Sequence, residues 1–326
     1  MDFKFFEKLH AEGLISDVSF AKIKARLLNQ LFSLHWEIKT ILYLGVLLFT
    51  TGTGILVYKN INTIGHQVIL LFIALVCLGT FFYCFKRQHI FSWNKVQSPD
   101  VFFDYILLLA CLTFITFVGY LQFQYNVFGN RYGLATLIPM IVLFVSAYYF
   151  DNVAILSLAI TNLAVWVGIT VTPLRILKSN DFDNSTIIIS GLLLGAALVM
   201  GGTASKRKEL KPHFEFTYTN FGMHLLFISC LAAMFHFETM YFLWFLLLCG
   251  LSYCFYRKAV LDSSFYFLLI LSIYFYIGVS YVVIRLLFST LDSEMGGLYL
   301  LCLYFITSAI ALTIFLIRMN QKLKNT

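Results

Sequence analysis

Long apolar stretches alternate with short polar segments along this chain, and residues 38–86 show the pattern most clearly. Ile41–Tyr58 and His66–Phe85 contain no Asp, Glu, Lys or Arg. Each is about twenty residues long, which at about 1.5 Å rise per residue matches a hydrocarbon core about 30 Å thick. The polar segment Lys59–Asn62 between them predicts a turn. We interpret the two stretches as a transmembrane helical hairpin.

The same pattern recurs through the rest of the chain and predicts ten membrane-spanning helices. They run approximately over residues 39–58, 65–85, 101–122, 132–150, 152–172, 184–204, 218–236, 239–256, 264–287 and 296–317. The predicted fold class is therefore all-α, a polytopic membrane bundle over residues 38–318. A short basic tail, residues 319–326, follows it.

The composition agrees with a membrane protein and excludes an ordinary soluble domain. Apolar residues make up 60% of the chain and charged residues only 12%, with a mean hydropathy of +0.84. Soluble domains have about a quarter of their residues charged. The net charge of +7 does not indicate nucleic-acid binding, because the position of the charges relative to the bilayer explains it.

The basic residues indicate how the ten helices are oriented. Five of the 23 Lys and Arg residues fall on one side of the predicted membrane, namely Lys59, Arg131, Arg175, Lys178 and Arg285. The other 18 fall on the side of the two chain ends. Basic residues in short loops accumulate on the cytoplasmic side. We therefore predict that both termini are cytoplasmic, and we expect no signal peptide in the charged N-terminal segment.

Residues 1–37 predict a small helical hairpin outside the membrane. Gly13 is suited to end a first short helix, and Ser16 to cap a second one. In the second helix, apolar residues from Phe20 to Leu34 recur at intervals of three and four, and basic residues occupy the other face. Such a helix can bind a membrane surface or a cytosolic protein partner, or can simply extend the first transmembrane helix.

Four polar residues inside the predicted spans are candidates for a substrate or proton path. They are Asp104, Asn162, His224 and Arg285. Ionisable groups in a membrane are costly and often functional. Asp104 and His224 would form a proton-exchange pair if their helices were neighbours. The alternative is that Asp104 reaches the interface, His224 bonds a backbone carbonyl and Arg285 extends to the interface.

Small and helix-bending residues predict where helices pack closely or bend. The candidates are Gly45, Gly52 and Gly54 in the first span, Pro139 in the fourth, and Gly191 and Gly195 in the sixth. Glycines at this spacing let two helices approach closely. A proline inside a helix removes one backbone hydrogen bond, which predicts a kink or a break lining a substrate path.

No residue pattern predicts a catalytic site, a metal site or a cofactor. The seven cysteines all fall in apolar spans and form no Cys-x-x-Cys, which favours a packing role. His66, His236 and Glu238 lie at helix ends without the spacing that helical metal sites use. No phosphate-binding loop, dinucleotide fingerprint or nucleophile elbow occurs.

The N-terminal part of the chain resembles a known family. The matching features are Leu9–Ile15 with its following amphipathic helix, the glycine-punctuated Leu44–Gly52, and Tyr58–Asn60 at the end of the first span. They resemble a bacterial family of membrane proteins known as domain of unknown function 2157, in which a Trp often stands at the position of Ile61. The resemblance implies a multi-pass protein of the bacterial cytoplasmic (inner) membrane and brings no known activity.

Three functional hypotheses follow. The first is a transporter-like protein that moves a small solute along a path lined by the four polar residues. The second is an assembly or regulatory component whose residues 1–37 bind a cytosolic protein. The third is an intramembrane enzyme acting on lipid, which requires a lateral opening beside charged groups at one interface. The oligomeric state and the substrate do not follow from the sequence.

Overall fold

The computed structural model describes residues 34–129, 131–171, 184–290 and 294–324, with short pieces at 10, 12, 15–17 and 19–20. Ten long α-helices occur within these residues. They are α1 (Leu34–Ile64), α2 (His66–Arg87), α3 (Val101–Tyr125), α4 (Tyr132–Phe150), α5 (Val153–Val171), α6 (Ser185–Arg207), α7 (Glu215–His236), α8 (Tyr241–Leu261), α9 (Phe265–Thr290) and α10 (Glu294–Lys324). All ten contain a segment long and apolar enough to cross a membrane, which confirms the predicted fold class.

Polar residues at the helix ends explain where several helices begin. Asp100 accepts a hydrogen bond from the backbone N–H of Phe103 at the start of α3 (2.8 Å). Asn184 does the same for Thr186 at the start of α6 (2.9 Å). These side chains satisfy backbone donors that have no partner within the helix.

The first hairpin turns later than the sequence indicates. The polar segment predicted as a turn is helical, and α1 continues to Ile64. The break falls at Gly65, whose φ of 81° is readily adopted only by a residue without a side chain. The polar residues 59–62 therefore belong to the last turns of α1, and the predicted position of this turn is wrong.

Two apolar clusters divide the core of the bundle. The first is centred on α3, α4 and α5 and includes Leu107, Leu143 and Ile155. The second is centred on α7, α8 and α9 and includes Phe227 and Leu248. Helices α1 and α10 pack at the periphery, and no residue in the central apolar segment of either is buried.

Close packing of α6 against α7 joins the two halves. A Cβ added to Gly195 would lie 3.0 Å from the carbonyl oxygen of Gly222, and one added to Gly222 would lie 2.8 Å from that of Gly195. A Cβ on Gly191 would lie 2.4 Å from Ser229 Oγ. α6 thus approaches α7 closely at Gly191 and Gly195, as the sequence indicates. A larger side chain at either position would push the two backbones apart.

The remaining bending and packing candidates behave differently. A Cβ added to Gly45, Gly52 or Gly54 would meet no described atom within 4 Å, so close packing there is not found among the described residues. Pro139 is buried, and α4 remains helical on both sides of it without a break.

Most of the predicted N-terminal hairpin, residues 1–37, lies outside the described residues. Within the part that is described, the backbone N–H of Ser19 donates to Ser16 Oγ at 3.4 Å, as a helix cap at Ser16 requires. The assignment of residues 1–37 to a separate unit stays a prediction.

Candidate functional site

The connections between helices define two faces of the bundle. The end of the bundle at which α2, α4, α6 and α8 finish is called the basic face. The connection after α2 meets the one after α6, because Lys211 donates its backbone N–H to Trp93 O (3.0 Å). The end of α6 meets the end of α8 through Lys206 Nζ and Asp262 Oδ1, 4.0 Å apart. The opposite face is the end at which α7 finishes and α8 begins.

Asp104 lies at the basic face, in the first turn of α3. Its Oδ1 accepts hydrogen bonds from Ser98 Oγ (2.7 Å) and Asn152 Nδ2 (2.9 Å). Asn152 in turn accepts a hydrogen bond from the backbone N–H of Ile155 (3.0 Å) at the start of α5. Asp104 therefore helps to join the start of α3 to the α4–α5 turn.

His224 has a different partner. Its Nδ1 lies 2.7 Å from Tyr274 Oη, which joins α7 to α9. Asp104 bonds to the α2–α3 connection and the α4–α5 turn, whereas His224 bonds to α9. The structure thus gives each of the two side chains its own partners and does not bring them together as a proton-exchange pair.

Asn162 and Arg285 lie in two further places. Asn162 is in the middle of α5, and its Oδ1 is buried with no hydrogen-bond partner among the described residues. Arg285 reaches the opposite face, where it donates to Tyr281 Oη (2.7 Å) and Glu238 Oε2 (3.2 Å) and covers the ring of Tyr241. The four predicted path residues do not share one set of contacts.

A buried ionic cluster at the basic face was not predicted from the sequence. Lys211 Nζ lies 3.2 Å from Asp151 Oδ1, and the two side chains are 1% and 2% exposed. His213 Nε2 lies 2.7 Å from the same oxygen, and Val96 donates its backbone N–H to Asp151 Oδ2 (2.5 Å). The ammonium of Lys211 also lies 5.2 Å from the centre of the Phe91 ring.

The sequence identified the members of this cluster only separately. Asp151 lies between the fourth and the fifth predicted span, and Lys211 is one of the 18 basic residues on the side of the two chain ends. An acidic residue between two nearly adjacent apolar spans is the signal that could have indicated it, because such a residue cannot move far from the membrane surface. Its partners could be found only from the structure.

A second ionic cluster occupies the basic face near α8. Glu215 at the start of α7 pairs with Lys258 of α8 and with Lys206 of α6, the latter at 3.3 Å. Asp262 lies 3.6 Å from Lys258. Two acids and two bases are thus matched, which indicates that these charges hold helix ends together.

The largest cavity described is a groove between α8, α9 and α10, with a volume of about 580 Å³. Its lining includes the polar residues Ser252, Ser272, Tyr276 and Ser308, with apolar residues around them. Tyr276 bonds Ser308 across α9 and α10 (2.9 Å). None of the described lining residues is charged. We call this cavity the lateral groove, because exposed residues such as Tyr253 border it on the lipid side.

A smaller apolar cavity of about 200 Å³ lies between α1, α2 and α3. It borders Gly54, Thr113 and Tyr120. At its end on the opposite face, His66 Nδ1 lies 2.7 Å from Tyr120 Oη. The threonine hydroxyl donates to carbonyls of its own helix, so this cavity presents no unpaired polar group from Thr113.

The described part of the chain contains no cluster of residues that could bind a metal ion, and its cysteines are unpaired thiols. No three His, Cys, Asp or Glu residues come close enough there to hold a metal ion. Glu238, considered above with two histidines, instead pairs with Arg285. All seven cysteines are free thiols, and those in the core, such as Cys84 and Cys111, are fully buried.

Comparisons with known proteins identify the N-terminal part of the chain. No curated protein and no solved structure matches it. The family model described as "Predicted membrane protein (DUF2157)" matches residues 7–156. This confirms the resemblance seen in the sequence and extends it through α4 into α5. The chain is therefore a multi-pass membrane protein whose residues 7–156 match the model of the DUF2157 family.

Proposed function

We propose that this protein binds a lipid-like amphiphile of the bilayer, whose hydrocarbon chain occupies the lateral groove. The observation that carries the proposal is the groove itself, about 580 Å³ in volume, lined without charges and bordered by lipid-facing helices. A chain that enters from the bilayer does not have to cross a polar surface. The groove lies outside residues 7–156, so the family match does not bear on it.

The length of the groove supports a lipid chain. Its lining runs from Leu268 to Val279 on α9 and from Tyr304 to Phe315 on α10. Each of these stretches covers about 16 Å along its helix. A hydrocarbon core is about 30 Å thick, so the groove is about as deep as one leaflet.

The chemistry of the lining favours binding over catalysis. Among the described lining residues there are serines, tyrosines and Cys249, but no His, Asp, Glu or Lys that could act as a general base. Ser252 Oγ is buried and has no hydrogen-bond partner among the described residues. It is a donor and acceptor that a polar group of a bound molecule can satisfy.

The transporter-like hypothesis has less support. A solute path requires that polar groups from several helices face one cavity, and Asp104, Asn162, His224 and Arg285 each have separate surroundings. We retain it as the alternative against which the experiment is designed. The docking of a cytosolic partner on residues 1–37 also stays a prediction.

We further propose that the basic face is cytoplasmic and that the protein resides in the inner membrane of a bacterium. The excess of basic residues at this face supports the orientation. The same charge distribution supports a cytoplasmic position for both termini.

The first experiment measures lipid retained by the purified protein. Ala311 lines the groove, and Ala309 on the same helix is exposed but does not line it. We expect Ala311→Trp to lose the co-purified lipid that mass spectrometry detects in the unmodified protein, because the bulky indole would obstruct the groove. Ala309→Trp, the matched control, should retain it. Equal retention in both variants would contradict lipid binding in the groove.

A second measurement tests the transport alternative. Single cysteines at positions 162 and 224, in a protein without its native cysteines, are exposed to a membrane-impermeant thiol reagent. We expect no labelling at either position, because neither Asn162 nor His224 lines the lateral groove or the smaller apolar cavity. Labelling of both positions would show that water reaches the interior of the bundle and would favour transport over lipid binding.

A further inference from the structure

We infer that the lateral groove takes an anionic, phosphate-bearing membrane lipid, and that Arg257 and Arg318 bind its phosphate at the basic face. This inference rests on the proposed lipid-binding function and adds the class of headgroup. It assigns a role to two residues that form neither ion pairs nor structural hydrogen bonds in the part of the chain described.

The position of the two arginines follows from the helix register. Arg257 follows Tyr253 by four residues on α8, which places it one turn closer to the basic face on the same side. Arg318 follows Ala311 by seven residues on α10, two turns along the same side. Tyr253 and Ala311 both border the groove. The two guanidinium groups thus flank the end of the groove that reaches the membrane surface.

The electrostatics distinguish these arginines from the other basic groups near them. Lys206 and Lys258 are neutralised by Glu215 and Asp262. Arg257 and Arg318 are exposed and have no carboxylate within ion-pair distance among the described residues. Guanidinium groups bind phosphate through paired hydrogen bonds, so two free ones beside an apolar groove complement an anionic headgroup.

The depth of the groove argues for a lipid rather than a helix of a partner protein. A transmembrane helix needs an apolar surface about 30 Å long, whereas the lining covers about 16 Å on α9 and α10. The lining also ends near the basic face, where the arginines are. A molecule with a chain one leaflet long and a charged group at its end fits both features. Ser252 lies part-way along this path; it is 7% exposed, and its hydroxyl has no hydrogen-bond partner among the described residues.

The experiment compares the binding of two lipids by native mass spectrometry of the full-length protein in detergent. The probes are phosphatidylglycerol, which is anionic, and phosphatidylcholine with the same acyl chains, which has no net charge. Electrostatic attraction contributes about 1 kcal/mol for each basic residue near a membrane surface, so the two arginines together predict a preference for phosphatidylglycerol of roughly 30-fold. The double variant Arg257→Ala/Arg318→Ala should lose this preference.

Two further variants serve as controls. Lys86→Ala/Lys95→Ala removes the same charge from the same face, at exposed positions on α2 and the connection after it, and should keep the preference. Arg257→Lys/Arg318→Lys retains the positive charge and should keep most of the preference for phosphatidylglycerol. If the double alanine variant is folded but still prefers phosphatidylglycerol, the assignment of the headgroup site is overturned.

The groove-filling variant Ala311→Trp separates this inference from the proposed function. Loss of both lipids in Ala311→Trp, with an unchanged preference in the double alanine variant, overturns the headgroup site but leaves chain binding in place. Unchanged binding of both lipids in Ala311→Trp overturns both proposals, because the chain then binds elsewhere. Both proposals are supported if Ala311→Trp loses both lipids and if the preference for phosphatidylglycerol is lost in Arg257→Ala/Arg318→Ala but kept in the two control variants.

Discussion

Replacing Lys211 tests the buried ionic cluster at the basic face. Its side chain is 1% exposed, that of Asp151 is 2% exposed, and this ion pair is the ammonium's only polar contact among the described residues. Lys211→Met keeps much of the apolar volume but leaves the carboxylate buried without its cation. Removing one partner of a buried ion pair costs about 3–5 kcal/mol. His213 still bonds the carboxylate of Asp151 in the variant, so we expect the loss of unfolding free energy to lie near the lower end of this range.

The buried cysteines supply the assay. Cys84 and Cys111 are inaccessible in the folded bundle, whereas Cys254 and Cys302 are exposed. After the two exposed cysteines are replaced by alanine, a dye that fluoresces on reaction with thiols reports the opening of the core during heating in detergent. We expect Lys211→Met to lower the midpoint temperature of thermal unfolding by about 5 °C or more. Lys208→Met, an exposed position in the same connection, is the matched control and should change it by less than about 1 °C.

A double variant separates the charge from the packing. In Asp151→Asn/Lys211→Met neither partner is charged, so about half or more of the lost stability should return. A midpoint for Lys211→Met equal to that of Lys208→Met would refute the buried ion pair. Strict additivity of the two single changes would refute the coupling between Asp151 and Lys211.

The remaining predictions concern other parts of the bundle. Gly222→Ala should destabilise the protein by about 1–3 kcal/mol in the same assay, because the added Cβ would lie 2.8 Å from a carbonyl oxygen of α6. Gly52→Ala, whose Cβ would meet no described atom within 4 Å, should be neutral or slightly stabilising. Equal effects of the two substitutions would contradict the close packing of α6 against α7. Arg285→Ala should change the thermal stability little, because its acidic partner is largely exposed, but should speed hydrogen exchange in the α7–α8 connection. Unchanged exchange would show that the ion pair does not order this connection. Ser252→Ala should stabilise the lipid-free protein by about 1 kcal/mol, because it removes a buried hydroxyl that has no partner in the described part of the chain. A loss of stability would instead indicate that this hydroxyl makes a hydrogen bond.

The helices and their number could be predicted from the sequence because the bilayer imposes a simple rule. A backbone in hydrocarbon must satisfy its hydrogen bonds internally, so an uncharged stretch of sufficient length forms a helix whatever its neighbours are. The break at Gly65 was less predictable. Lys59–Asn62 is polar enough for a turn, yet at the end of a transmembrane helix polar residues can continue the helix into the interface.

The partners of polar residues required the tertiary structure. The sequence identified Asp104, His224 and Arg285 as unusual for their surroundings, but their partners Asn152, Tyr274 and Glu238 are 47 to 50 residues away in the chain. Hydropathy and helical periodicity contain no information on which helices are neighbours. The hypothesis of an Asp104–His224 pair depended on that information.

The sequence by itself thus determined the class of protein, the approximate spans and the face that carries the basic residues, since each follows from local composition and the thickness of the bilayer. Only the tertiary structure decided which charges neutralise each other, as Lys211 beside Asp151 illustrates, and which, like Arg257, have no acidic partner among the described residues. The groove itself arises because α8 and α10 both pack against α9 while leaving space between them. Such a space depends on how three helices are placed together, which no single stretch of sequence specifies.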